Sequence, residues 1–351
     1  MFRGSENIMS QLKNDNLQLD IKNKVKSNEN NIVKKIFLWI VHNLKFLFIP
    51  GYYLEDLDER QVQYESLYRK KRHYHRFNSP LFIIGICIIT ILITIAVFQD
   101  WISFYTYEEA TTYTGLNIFM EKYAPPSPEH PLGRTFIGLD VLARLIFGAR
   151  PVLIFCLAST FFAGLFGIFI GAISAYYGGW LDTIVMRAIE IILSFPGVVL
   201  AIVFLTIWGK DYINLIIVYS IIGIPYFARL IRTIVLKEKE LPYIAAGKVS
   251  GAKNFRIIFR HILPNCSQPL IVAASFNISR NILSLAVLGF LRLQGIGWIE
   301  WGFDIATAIN YLTTAPWATL YPSLMILISV LSFLLLGDSL SNVSSLRQEK
   351  L

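Results

Sequence analysis

The chain has 351 residues, of which 54% are hydrophobic and 16% charged, with a formal net charge of +8 and three cysteines. Soluble domains carry about a quarter charged residues, so this composition, with a mean hydropathy of +0.52, excludes an ordinary water-soluble domain and points to an all-α integral membrane protein. The basic excess does not indicate nucleic acid, because the lysines and arginines gather at the ends of apolar runs, as cytoplasmic flanks of membrane helices do.

In chain order, residues 1–79 read as a polar, cytoplasmic extension. The first thirty residues are rich in Asn and Lys and show no signal-peptide pattern, which reads as a flexible head. Asn31–Gly51 follows, with a short apolar run broken by His42, Asn43 and Lys45. A crossing there would sink Lys45 at about 2.5–3.5 kcal/mol, so a helix over about 32–50 lying on membrane lipid, its lysines snorkelling, is the expectation. The cluster Tyr68–Arg76 closes the extension; its His73 and His75 read as part of a solvated anchor, not as metal ligands.

A membrane domain over 80–337 comes next, and 338–351 reads as a cytoplasmic tail. Crossing about 30 Å of hydrocarbon takes roughly 20 helical residues. Six runs meet that need: Leu81–Phe98, Pro151–Tyr177, Thr183–Trp208, Tyr212–Ala228, Gln268–Leu291 and Ala318–Gly337. In the second, Ala163, Gly167, Gly171 and Ala175 recur every four residues, a stripe of small side chains that lets another helix approach closely. Pro196 and Pro225 mark kinks that neighbouring helices can tolerate. Cys87, Cys156 and Cys266 sit in or beside these runs without CxxC spacing, so neither a disulfide framework nor a zinc site is indicated.

Lysine and arginine placement sets the expected orientation. The basic cluster before the first run and eight basic residues between Arg229 and Arg260 mark the inside, whereas Gln99–Arg150 has more acids than bases. Both termini are therefore expected in the cytoplasm, and so is the loop 238–265. That loop reads as a short small-residue helix, Tyr243–Ser250, a turn at Gly251, and an amphipathic helix stopped by Pro264. The apolar face of the second helix would be Phe255, Ile258, Phe259 and Ile262, at i, i+3, i+4 and i+7. The small residues Ala245, Ala246 and Gly247 would let the first helix sit in a partner's groove; a basic loop resting on headgroups is the plainer alternative.

The motifs around this loop carry a resemblance. His130–Arg150 (HPLGRTFIGLDVLARLIFGAR), Tyr176–Gly197 (YYGGWLDTIVMRAIEIILSFPG), Ala228–Arg232, Ile257–Asn265 (IIFRHILPN), Thr314–Trp317 and Leu335–Asp338 follow one another over roughly residues 80–340. The chain resembles the permease subunits of ABC importers for oligopeptides, dipeptides and nickel, and Gly251 with Leu263–Pro264 matches the spacing of that family's EAA loop. Three departures stand out: Ala245 replaces the loop's glutamate, Arg134, Thr135 and Leu139 replace the usual Thr-Asp and Arg, and Leu285 replaces a glutamate of the fifth run, with Arg280 as an unusual charge nearby.

The resemblance implies the six-helix type I importer permease fold in a bacterial inner membrane. Tyr243, Ala245, Ala246, Gly247, Lys248, Gly251 and Ala252, with Leu263 and Pro264, would form the segment that couples to an ATPase. No G-x-x-x-x-G-K-[ST] motif occurs in the chain, so the chain is not expected to be an enzyme and needs no cofactor of its own; ATP and Mg²⁺ would sit on partners. Those partners would be two ATP-binding-cassette subunits, a paralogous permease forming a heterodimer, and an extracytoplasmic solute-binding protein facing 99–150 and 294–317.

Charged or amide side chains in apolar runs are candidate path residues. Asn277 is one. Glu190 either pairs with Arg187 or meets substrate, and Arg280 either meets a peptide carboxylate or pairs with an acid of the partner permease. Nickel or another small solute remains an alternative cargo. A secondary transporter is the rival of a different class, although it would usually show repeated broken helices, and no repeat is visible between the halves of this chain.

Overall fold

A peptide group surrounded by hydrocarbon can satisfy its hydrogen bonds only within its own helix or a closed barrel. In the computed structural model of the chain the apolar runs are helices, and residues 80–112, 122–293 and 298–348 are described. The extension 1–79, with its expected interfacial helix and basic cluster, lies outside the described residues, as do 113–121, 294–297 and 349–351. All that follows concerns the unit His75–Leu351.

Helix α1, Pro80–Val97, is uncharged, and its residues Leu81, Ile83, Ile84, Ile91 and Ile93 stay exposed, as a lipid-facing helix requires. The hydroxyls of Thr90 and Thr94 donate to carbonyls one turn back, which hides them from hydrocarbon. Two short helices follow, α2 (Gln99–Ile102) and α3 (Tyr107–Thr111). Thr106 and Glu109 form a reciprocal capping box at the head of α3.

Helix α4, Val141–Tyr177, begins ten residues before the apolar run. Asp140 caps it by accepting from the Ala143 N–H at 2.7 Å. Its charged first turns are tolerated because each guanidinium has a partner. Arg144 pairs with Asp304 at 2.6 Å, and Arg150 donates to the Ala96 and Val97 carbonyls at the end of α1, where a cation also complements the helix dipole. At its other end, the positive φ of Gly178 and Gly179 turns the chain sharply.

The third apolar run is not one straight helix. It divides into α5 (Gly179–Leu193) and α6 (Gly197–Trp208), bent by 87°. At about 1.5 Å per residue neither half alone reaches 30 Å. The residue before a proline is pushed out of helical geometry, and Pro196 itself is extended, with ψ 128. The kink expected at Pro196 is thus a full break.

Helix α7, Tyr212–Glu238, runs ten residues past the expected end with Pro225 buried inside it. The connecting segment 239–266 is described below. Helix α10, Ser267–Phe290, is followed by α11, Trp301–Ala308, and by α12, Trp317–Gln348. Helices α1, α4, α7, α10 and α12 are each long and apolar enough to cross a membrane, and the broken pair α5–α6 supplies a sixth crossing if it spans as one.

Helices α4 and α7 pack closely along the small-residue stripe. A Cβ on Gly167 would lie 2.8 Å from the Ile224 carbonyl, and one on Gly171 would lie 2.4 Å from the Ala228 carbonyl. Between α4 and α10, Asn281 donates to Ser159, Thr160 and Asn277, while Thr160 donates to Asn277 at 2.9 Å. Such amide and hydroxyl pairs hold helices together where water is absent.

Candidate functional site

The loop between α7 and α10 is built from its local sequence. Pro242 opens α8, Pro242–Val249, because proline at the first helical position costs no hydrogen bond. Gly251 ends it, with φ +77. The Ala252 N–H donates to the Gly247 carbonyl and the Gly251 N–H to the Lys248 carbonyl, both at 3.0 Å. This pair is a complete Schellman motif, which asks for glycine at its left-handed position.

One face of α8 is fixed. Ile244 is 1% exposed and packs in a cluster with Ala172 and Ala175 of α4, Ile231 and Val235 of α7, and Cys266. The Tyr243 hydroxyl donates to Glu238 and accepts from Asn265 at 3.3 Å. Burial and the bond to Glu238 push its pKa up to about 12, so it stays protonated and keeps both bonds. The Lys248 ammonium lies 5.6 Å from the centre of the Tyr176 ring.

The other face is free and small. Ala245, Ala246, Lys248 and Gly251 are exposed, Gly247 and Ala252 partly so, and Val249 is 90% exposed. Nothing lies within 4 Å of a Cβ built on Gly247 or Gly251. The result is a knob whose exposed surface is mostly small side chains and backbone, with Lys248 and Val249 projecting from it.

Helix α9 corrects one expectation. It runs through Asn254–Arg256, a π-helical segment Ile257–Ile262, and Leu263–Asn265. The wider π turn shifts the buried face to Ile257, Ile258 and Ile262 and leaves Phe255 70% exposed, against the ring of Phe259. Pro264 lies in the last turn, one residue before the helix ends at Asn265 and α10 begins, exposed beside the partly buried Leu263.

This end is tied to the bundle by contacts the sequence reading missed. Asp182 of α5 receives two hydrogen bonds from Arg232 of α7, at 2.8 and 2.6 Å. Lys239 donates to the Ala175 carbonyl at the end of α4. The partners are about fifty or more residues apart, so no local spacing signals them, although Asp182 and Arg232 each fall in one of the motifs quoted above.

The three other candidates lie off the knob, Glu190 on α5 and Asn277 and Arg280 one turn apart on α10. Glu190 pairs with Arg187 at 2.9 Å on the exposed surface of α5. Asn277 is 2% exposed inside the polar cluster of α4 and α10. Arg280 is exposed near the middle of α10, its guanidinium carbon 4.8 Å from the centre of the Tyr226 ring.

At the opposite end of α4, the HPLG stretch folds as a polar hub. His130 Nδ1 meets Asp140 at 2.9 Å, and the Tyr105 ring stacks on the imidazole with centroids 5.4 Å apart. Nearby, the buried Arg144–Asp304 pair fastens α11 to α4, and Glu300 caps α11 by accepting from the Phe303 N–H at 2.8 Å. Sequence reading had no signal for Asp304 or Glu300.

Comparison with known proteins accords with this architecture. Residues 167–350 match the family described as binding-protein-dependent transport system inner membrane component. A dipeptide transport system permease protein from Alkalihalophilus pseudofirmus is 37% identical, over 75% of this chain and 84% of the relative. A glutathione transport system permease protein from Pectobacterium atrosepticum is 35% identical, over 72% and 82%. A second dipeptide permease, from Haemophilus influenzae, is 37% identical over 74% and 88%. A secondary transporter working without a binding protein is thereby set aside: the chain belongs to the family of multi-pass inner-membrane components of binding-protein-dependent transport systems.

Proposed function

We propose that the chain is one half of the translocation path of an ATP-driven importer for short peptides, with α8 as the element that receives force from a separate ATPase. The cargo reading rests on the dipeptide and glutathione permeases to which the chain is similar. A paralogous permease completes the path as a heterodimer, two ATP-binding-cassette subunits dock on the α8 side, and a solute-binding protein delivers peptide at the α11 side. Both termini and α8 are cytoplasmic.

The observation that carries the coupling role is the geometry of α8. A force-transmitting element must offer its partner a close-fitting surface and must not yield when pushed. Exposed Ala245 and Ala246 and the half-buried Gly247 permit a close fit, while Ile244 and the Tyr243 bonds fasten the element to α4, α7 and α9, and the Arg232–Asp182 pair ties α7 in turn to α5. Alanine at 245, where the resembling family has glutamate, removes a charge from the contact and leaves a smaller exposed side chain there. Movement of α8 would then pass to packed helices as a rigid-body shift.

Gly251→Val tests this reading. A valine at φ +77 is disfavoured by at least about 1–2 kcal/mol, yet it meets no neighbour, since the space around Gly251 is open. Folding of the bundle should survive, and the pitch of α8 should not. In reconstituted complexes peptide uptake should fall at least tenfold with the permease still inserted; uptake equal to wild type would reject the coupling role.

A further inference from the structure

We infer that Arg280 is a carboxylate-binding station on the translocation path, receiving the C-terminal carboxylate of a peptide in transit; this rests on the peptide-import reading above. On the side of α10 that carries Arg280 the other exposed large side chains are apolar: Leu283, Val287 and Phe290. Arg280 lies close to the middle of the 24-residue helix. A guanidinium at that depth is costly unless hydrated or paired, and such residues face water-filled cavities or partners, not lipid.

Tyr226 of α7 covers one flat side of the guanidinium, 4.8 Å away. The five N–H donors lie in the plane of the group, so the ring leaves them free to bind an acceptor. Among the described residues Arg280 has no hydrogen bond or ion pair. Between Tyr212 and Leu236, and again along all of α10, the sequence contains no acid. The anion must therefore come from outside these two helices.

Arg229 lies three residues after Tyr226, which places it on the same face of α7. It too is exposed and without an ion pair among the described residues. Helix α7 runs toward α8, so Arg229 lies one turn nearer α8 than Tyr226. A planar carboxylate matches the guanidinium fork in two parallel hydrogen bonds. The group is common to all unmodified peptides whatever their side chains, which suits a path that must pass many sequences.

The test uses the complete complex in proteoliposomes, with the binding protein supplied outside and ATP inside, and trialanine as probe. Arg280→Gln should lower uptake at least tenfold with the partner permease and ATPase subunits still copurifying in wild-type proportion. Arg280→Lys, which keeps the charge and loses the fork, should recover part of the loss. Tyr226→Leu should lower uptake several-fold. If Arg280→Gln instead loses the partner permease on purification, the guanidinium pairs with a carboxylate of that partner and the inference is wrong. Uptake by Arg280→Gln equal to wild type also overturns it. Failure of the wild-type complex to take up trialanine or any other short peptide would reject the peptide reading itself, and this station with it.

Discussion

Two glycines seven residues apart on α4 should respond in opposite senses to the same added methyl group. At Gly171 a Cβ would meet Ile231 Cγ2 at 2.3 Å, the Ala228 carbonyl oxygen at 2.4 Å and Ala228 Cα at 2.8 Å. Ordinary contact begins near 3.4 Å, so α4 and α7 would have to part by about 1 Å. The isoleucine can rotate, but the other two atoms belong to the backbone of a 27-residue helix and cannot give way alone. Overpacking of this kind costs about 1–3 kcal/mol, against about 0.5–1 kcal/mol gained by replacing a helical glycine with alanine. Gly171→Ala should therefore destabilise the chain by about 1–2 kcal/mol. At Gly164 the nearest atoms are those of the Phe227 ring at 3.8 Å, so Gly164→Ala should fit and gain the propensity term. Thermal unfolding of the purified complex in detergent reads both. A Gly171→Ala protein as stable as wild type, or a Gly164→Ala protein destabilised as much as Gly171→Ala, would refute the packing described for α4 and α7.

Three further outcomes can be measured on the same preparations. Arg144→Met should leave Asp304 buried without its cation and destabilise the protein by about 3–5 kcal/mol, whereas Arg144→Met with Asp304→Leu should recover most of that loss; unfolding midpoints of the two variants decide. Glu300, outside the membrane-spanning helices, is pushed up to about 8 by burial, above its usual 4.5, so the folded state holds a proton that the unfolded chain releases. The stability linked to it is complete below about pH 4.5 and is lost as the pH rises through 8. The difference in stability between Glu300→Gln and wild type should then grow in favour of the variant from pH 5 to 8, and a constant difference would contradict that linkage. Asn277→Leu should destabilise the α4–α10 contact by about 1–2 kcal/mol, because Asn281 and Thr160 lose a shared acceptor; loss of uptake in a variant of undiminished stability would return Asn277 to the path.

The features legible in the sequence are those set by local spacing. A stripe of small residues at every fourth position can serve only close packing, and the Ala163–Ala175 stripe does so against α7. A glycine between two helical patterns signals a left-handed cap, and Gly251 is one. Features set by distant partners were not legible. The start of α4 looks too charged for a buried helix until Asp304 and the α1 carbonyls are seen to accept from Arg144 and Arg150. Asn277 and Arg280 are three residues apart in one apolar run, and spacing alone cannot tell that the first faces α4 while the second faces outward. Pro196 signals a bend, but its size follows from where α5 and α6 each pack. The π turn of α9 has no periodicity signature, and for that reason the expected apolar face was displaced.

The coupling role of α8 is tested most directly by proximity. In a complex whose exposed Cys87 is replaced by Ser, a cysteine introduced as Ala246→Cys should crosslink to an ATP-hydrolysing subunit through a short bifunctional thiol reagent, and the yield should change when ATP is bound. No crosslink from position 246 to such a subunit, in a complex that still imports peptide, would contradict the role assigned to α8.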